Sequence, residues 1–124
     1  MIRLLLVDDQ PMVRQGWRMR LALEADIAVV GEASNGIEAI QQAQSLNPDV
    51  ILLDVEMPLM DGLTAAEKLQ ELTPACAVVM ISMYDTAATL ERARAAGVAA
   101  FVGKQEPTDA LLAAIRQAAA APSL

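Results

Sequence analysis

The stretch Val50-Ile-Leu-Leu-Asp54-Val-Glu-Met-Pro-Leu-Met-Asp61-Gly62 changes character twice. The four aliphatic residues at its start suit a short strand and are too few for a helix. Their lack of polar alternation predicts a strand buried on both faces. Asp54 ends the run, and Pro58, Asp61 and Gly62 then supply turn chemistry. An amphipathic pattern over residues 62–72 follows, closing at Pro74. The unit is a buried strand with an acidic end, a loop and a helix.

The same unit recurs on both sides. Apolar runs at 3–7, 28–33, 77–82 and 99–102 share the Val, Ile and Leu content of 50–53. Helical patterns fill 11–23, 36–45 and 85–96, and a fifth begins near Pro107. Pro11 suits a first helical turn, with Val13, Trp17 and Leu21 on one face. Ile37, Ile40 and Ala43 share a face of the second helix, which Asn47 and Pro48 end, and Gly97 stops the fourth. Strand–helix alternation five times over predicts an α/β fold with a parallel sheet and right-handed crossovers. Among doubly wound sheets, five strands fit the flavodoxin-like order 2-1-3-4-5. The domain is expected over 1–118, with 119–124 opening a linker because Pro-Ser-Leu follows the alanines.

Composition narrows the function. The 124 residues are 55% apolar with three aromatics (Trp17, Tyr84, Phe101), so the core must be aliphatic. A net charge of −7 repels nucleic acid and anionic membranes, which assigns any DNA binding to another domain. The single Cys76 forms no internal disulfide and fits a reducing cytoplasm; inside the apolar run 75–81 it reads as a small buried hydrophobe. The absence of histidine excludes His-based zinc sites, Ser-His and Cys-His pairs, and a phosphohistidine on this chain. The opening apolar run stops at Asp8–Asp9, too soon for a signal-peptide core or a bilayer span, so a cytoplasmic domain is expected.

In a doubly wound sheet, ligands bind beyond the carboxyl ends of the strands where strand order reverses. That places Asp8 and Asp9 after strand one, Asp54 after strand three, Ser82 at the end of strand four and Lys104 after strand five on one edge. Each alone has an ordinary reading: Asp9 as a helix cap, Asp54 as a turn residue, Ser82 as a capping hydroxyl, Lys104 as a solvated charge. Their recurrence at successive strand ends favours a site. Clustered carboxylates call for a cation, and hard oxygen donors with room for water and phosphate suit Mg²⁺. A carboxylate can attack phosphorus to give an aspartyl-phosphate. The cation and a lysine ammonium neutralise the transferring phosphoryl oxygens, and a hydroxyl donates a hydrogen bond.

These residues carry a resemblance over essentially the whole chain. Asp8–Asp9, the Asp-x-x-Met-Pro-x-x-Asp-Gly run from Asp54 to Gly62, Ser82, and Phe101 three residues before Lys104 resemble the receiver domain of two-component response regulators. The resemblance implies that Asp54 is the phosphoacceptor. Asp9 and Asp54 would ligate Mg²⁺ directly and Asp8 through water, with the backbone carbonyl of Glu56 as a further ligand. Lys104 would contact the phosphoryl group, Ser82 would swing toward it, and Phe101 would rotate inward behind Ser82. Phe101 also reads as ordinary core packing. A sensor histidine kinase or a small phosphodonor would supply the phosphoryl group, and the domain would catalyse only its own phosphorylation and dephosphorylation. Val13-Arg-Gln-Gly16 and Val29-Val-Gly-Glu-Ala-Ser-Asn-Gly36 resemble the NarL/FixJ branch, whose LuxR-type helix-turn-helix output binds DNA and regulates transcription. The expected output surface, helix four to helix five, permits a homodimer on phosphorylation. Many receivers place proline after the lysine; here Gln105 stands there, and a trans peptide is expected because a non-proline cis bond costs about 2.5–4 kcal/mol. Glu56 and Tyr84 flank the site at positions that in this family affect phosphate lifetime.

A small Mg²⁺-dependent phosphatase or phosphotransferase would use the same nucleophile, with Glu56 at the offset of its second acid, but 124 residues leave no cap domain. A flavin-binding module would need a glycine- and hydroxyl-rich loop where this chain has Asp8-Asp-Gln-Pro11. A scaffold without chemistry would not need all five polar residues.

Overall fold

The computed structural model describes residues 1–83 and 86–120. Ten elements alternate: β1 (Ile2–Val7), α1 (Pro11–Leu21), β2 (Ile27–Ala33), α2 (Gly36–Leu46), β3 (Val50–Asp54), α3 (Gly62–Leu72), β4 (Ala77–Ser82), α4 (Ala87–Ala95), β5 (Ala100–Gly103) and α5 (Thr108–Ala120). The strands form one parallel sheet in the order β2-β1-β3-β4-β5, the flavodoxin-like arrangement expected from the sequence.

The continuous apolar runs serve two cores at once. Along β1, Leu5 and Val7 join Ile51, Leu53, Val78 and Met80 beneath α2, α3 and α4. Leu4 and Leu6 point the other way, joining Leu52, Val79 and Ile81 against Leu21 of α1 and Leu111, Leu112 and Ile115 of α5. Successive strand side chains alternate faces, so a strand covered on both sides has no polar position. Leu4, Leu5, Leu6, Ile51, Leu52 and Leu53 are all 0% exposed, each contributing roughly 1.5–3 kcal/mol of transfer free energy. Cys76 is buried as expected, and burial pushes its thiol pKa up, away from nucleophilic thiolate chemistry.

Several boundaries and faces differ from expectation. α1 stops at Leu21: the Ala22 N–H makes a last bond four residues back, to the Arg18 carbonyl, and the Leu23 N–H tightens to the Arg20 carbonyl three residues back. α4 starts at Ala87, behind Thr86, whose hydroxyl accepts from the Thr89 N–H at 3.2 Å; Asp85, its expected start, lies outside the described residues. Gly97 does follow the end of α4 with φ +83, a conformation that favours glycine. α5 runs to Ala120, and 121–124 lie outside the described residues. Ile37 is 48% exposed, against the expected shared face. The buried stripe of α2 is Gly36, Ala39 and Ala43, and two residues of helix turn Ile37 by about 200° from Ala39. β2 is only partly buried between Ile27 and Ala33 because it is an edge strand.

Candidate functional site

β1 lies between β2 and β3, so the chain reverses direction across the sheet there. Asp8 follows β1 directly and Asp54 is the last residue of β3. Both are almost fully buried, at 1% and 2% exposure, and Asp9 is half-buried beside them. One carboxylate oxygen from each of Asp8, Asp9 and Asp54 can be chosen so that all lie within 4.8 Å of one another.

Main-chain geometry holds the carboxylates. Asp8 Oδ1 accepts from the Gln10 N–H at 2.9 Å, so Asp8 rather than Asp9 organises the entry to α1. Asp54 Oδ1 accepts from the Glu56 N–H at 3.1 Å, and Oδ2 pairs with Lys104 Nζ at 3.1 Å. Lys104 is placed in turn by its own N–H, which donates to the Ser82 carbonyl at 2.8 Å beyond the β4–β5 register. All described peptide bonds are trans, Lys104–Gln105 included. Gly62 closes the loop: its N–H donates to the Val55 carbonyl at 2.9 Å, and a Cβ there would lie 2.3 Å from the Asp54 carbonyl oxygen.

The electrostatics are unbalanced. Burial, then the charge of Asp8, push the Asp54 pKa up from 3.8 to about 7, opposed by Lys104 and the Glu56 N–H. Asp8 Oδ2 is buried with no hydrogen-bond partner among the described residues. An orphaned buried carboxylate oxygen, two more carboxylates within 4.8 Å and one ammonium for three acids form a hard-oxygen donor set that fits a divalent cation such as Mg²⁺.

Ser82 is fully buried at the end of β4, where its Oγ donates to Glu56 Oε2 at 2.6 Å. Glu56 Oε1 accepts from the Met83 N–H at 3.1 Å. The family resemblance implied the Glu56 carbonyl as a metal ligand; nothing in the sequence announced these side-chain bonds. Phe101, paired with Met80 across β4 and β5, is partly buried against the core beneath α3 and α4. Tyr84 lies outside the described residues.

Arg14 was not foreseen. Its Nη1 donates to the Asp8 carbonyl at 2.7 Å and its Nε to Glu32 at 3.2 Å, with Arg18 on the same Glu32 carboxylate. It thus ties the acidic loop after β1 to the edge strand. A surface arginine in α1 has no sequence signal that separates this from solvation. Next to the site, Gln10, Val13, Trp17, Met83, Lys104 and Thr108 line part of a groove of about 690 Å³ running from α1 to the start of α5.

The sequence profile of the response regulator receiver domain family matches residues 4–116. The nitrate/nitrite response regulator protein NarL of Escherichia coli K12 is 41% identical over 117 residues, covering 94% of this chain and 54% of that protein. The chain therefore spans about half the length of that relative. A protein-glutamate methylesterase/protein-glutamine glutaminase of Methanosarcina acetivorans is 41% identical over 107 residues, which are 85% of this chain and 30% of that one. Among solved structures, the signal receiver domain of the putative response regulator NarL from Mycobacterium tuberculosis superposes with a TM-score of 0.91 at 32% identity, over 98% of each chain. With the sheet order and acidic strand ends already described, these matches show that the chain belongs to the response regulator receiver domain family of two-component systems, in its NarL-type branch.

Proposed function

We propose that the chain is a phosphorylation switch in which Asp54 accepts a phosphoryl group from the phosphohistidine of a sensor histidine kinase or from a small acyl phosphate. The observation that carries this reading is the Asp54 carboxylate, buried at the end of β3, 3.1 Å from Lys104 Nζ and grouped with Asp8 and Asp9 within 4.8 Å. An Asp54 oxygen attacks phosphorus; as the new P–O bond forms, the P–N bond of the phosphohistidine breaks and the imidazole departs with the bonding pair. Lys104 neutralises a phosphoryl oxygen as it transfers, and the Ser82 hydroxyl donates to another once the group is in place. Asp8, Asp9, Asp54 and the Glu56 carbonyl would hold Mg²⁺, which when bound supplies positive charge to the phosphoryl oxygens.

The chain would act on no substrate beyond its own phosphorylation and dephosphorylation. Its output would be an attached DNA-binding domain outside this chain, in a cytoplasmic transcription regulator able to form a homodimer when phosphorylated. The likeness to a solved DNA-binding response regulator of the LuxR family from Staphylococcus aureus, 26% identical with a TM-score of 0.89, supports that output. No helix among the described residues is long and apolar enough to cross a membrane. The phosphatase alternative needs the Glu56 carboxyl available as an acid, and both its oxygens are taken by Ser82 and Met83.

The test is intact-mass spectrometry after incubation with acetyl phosphate, with and without Mg²⁺, on this chain and on Asp54→Asn. One phosphoryl adduct that needs Mg²⁺ and is absent from the variant is the expected result. No adduct under fast sampling in any condition would overturn the assignment.

A further inference from the structure

We propose that the Glu56 side chain is a latch on the resting state: it holds the Ser82 hydroxyl and the Met83 main chain in an arrangement that a phosphoryl group on Asp54 must break. The inference rests on the reading of Asp54 as the phosphoacceptor.

Both Glu56 carboxylate oxygens are used, Oε2 by Ser82 Oγ at 2.6 Å and Oε1 by the Met83 N–H at 3.1 Å. The two donors are consecutive residues where β4 ends, while Glu56 stands in the loop after β3. One side chain therefore bridges two loops that border the site. Hydrogen bonds to a charged acceptor are the stronger kind, and Ser82 is 0% exposed, so water does not compete freely for its hydroxyl.

A serine hydroxyl has one proton to donate. It serves Glu56 or a phosphoryl oxygen on Asp54, not both. The two states are mutually exclusive at a single hydrogen atom, which makes the element bistable rather than graded. The Glu56 N–H also donates to Asp54 Oδ1 at 3.1 Å, so latch and acceptor share one peptide and any adjustment at Asp54 is felt by Glu56. A phosphoryl group adds negative charge facing the Glu56 carboxylate, and like-charge repulsion favours release. Met83 is 56% exposed, so its freed N–H can be taken over by water. Glu56 is thus a positioning residue: it acts on the phosphoryl site through Ser82 and sets how far that site must be loaded before Ser82 and Met83 are released.

The experiment uses amide correlation spectra of the ¹⁵N-labelled chain, titrated with beryllium fluoride in the presence of Mg²⁺, for the parent, Glu56→Gln, Glu56→Ala and Asp54→Asn. Apparent affinity is reduced by the fraction of molecules in the competent state, so opening the latch should lower the half-saturating beryllium fluoride concentration at least about fivefold in Glu56→Ala. The resting Ser82 and Met83 amide peaks of that variant should lie displaced toward their positions in the loaded parent. Glu56→Gln, which keeps one acceptor without the charge and matches the shape, should fall between. Unmoved peaks and unchanged or weaker affinity in both folded variants, Glu56→Ala and Glu56→Gln, with a parent that saturates and an Asp54→Asn that does not, would overturn the latch and leave the acceptor reading standing. A parent that neither responds to beryllium fluoride nor takes up phosphoryl from acetyl phosphate would overturn both.

Discussion

Asp54 keeps a carboxylate at the end of a strand where its neighbours make a negative charge costly. Burial and Asp8 hold its pKa at about 7 against 3.8 for the free group. A carboxyl whose folded pKa is raised destabilises the folded state fully above that pKa and not at all below its unfolded value. Asp54→Asn in EDTA should therefore gain stability at pH 8, on the order of 2–4 kcal/mol, and the gain should shrink as pH falls from about 7 toward 4. Urea midpoints across that range check it; a gain independent of pH would contradict it. Asp8 tests the cation from the other side. Its buried Oδ2 has no partner among the described residues, so Mg²⁺ should raise the melting temperature of the parent chain by binding the native state. Asp8→Asn should weaken that Mg²⁺ dependence about 10–100-fold, read from thermal melts over an Mg²⁺ series.

At the scale of elements, the loop between β3 and α3 does the joining. Asp61 caps α3, its Oδ1 accepting from the Thr64 N–H at 2.9 Å, and Gly62 brings the helix start onto the Asp54 main chain. Gly62→Ala would force a Cβ into the Asp54 carbonyl, where backbone rather than a flexible side chain must yield. The expected cost is about 1–3 kcal/mol, with slower phosphoryl uptake from acetyl phosphate; unchanged uptake and urea midpoint would show that the loop relaxes freely. This loop also shows what a sequence makes legible. Val50 to Leu53 announced a doubly covered strand because both faces leave no polar slot, and Asp8, Asp54, Ser82 and Lys104 pointed to a candidate site because each ends or directly follows a strand on the same edge. Faces of the small helices were harder to read: in α2, Ala39 and Ala43 carry the core contact while the more apolar Ile37 faces out. The bonds of Glu56 and Arg14 were invisible because both reach across to other elements, and a charged side chain in a loop or on a helix surface reads as solvated until the partner strand is in place.

Over the whole molecule, the end of the sheet opposite the site is held by charge. Arg116 of α5 grips Asp26 through Nε at 2.9 Å and Nη2 at 3.0 Å, and reaches Glu24 at 2.7 Å, while Arg20 of α1 holds the other Glu24 oxygen at 2.9 Å. The Arg116 hydrogen bonds lower the pKa of both acids. Lowered carboxylate pKa values contribute stability above the unfolded values that is lost as pH falls through the folded ones. Arg116→Ala should therefore melt earlier than the parent at pH 7. The difference should shrink below about pH 4 and in high salt, because the groups are exposed; a salt- and pH-independent difference would point to packing instead. At the other end, Trp17 shares its groove with Met83 and Lys104, the residues on either side of the switch, and the chain has no second indole. The protein thus carries its own optical reporter. A change at Lys104 or Met83 should alter the surroundings of the one indole, so loading of the site should shift tryptophan emission, excited to spare Tyr84, in the unlabelled chain.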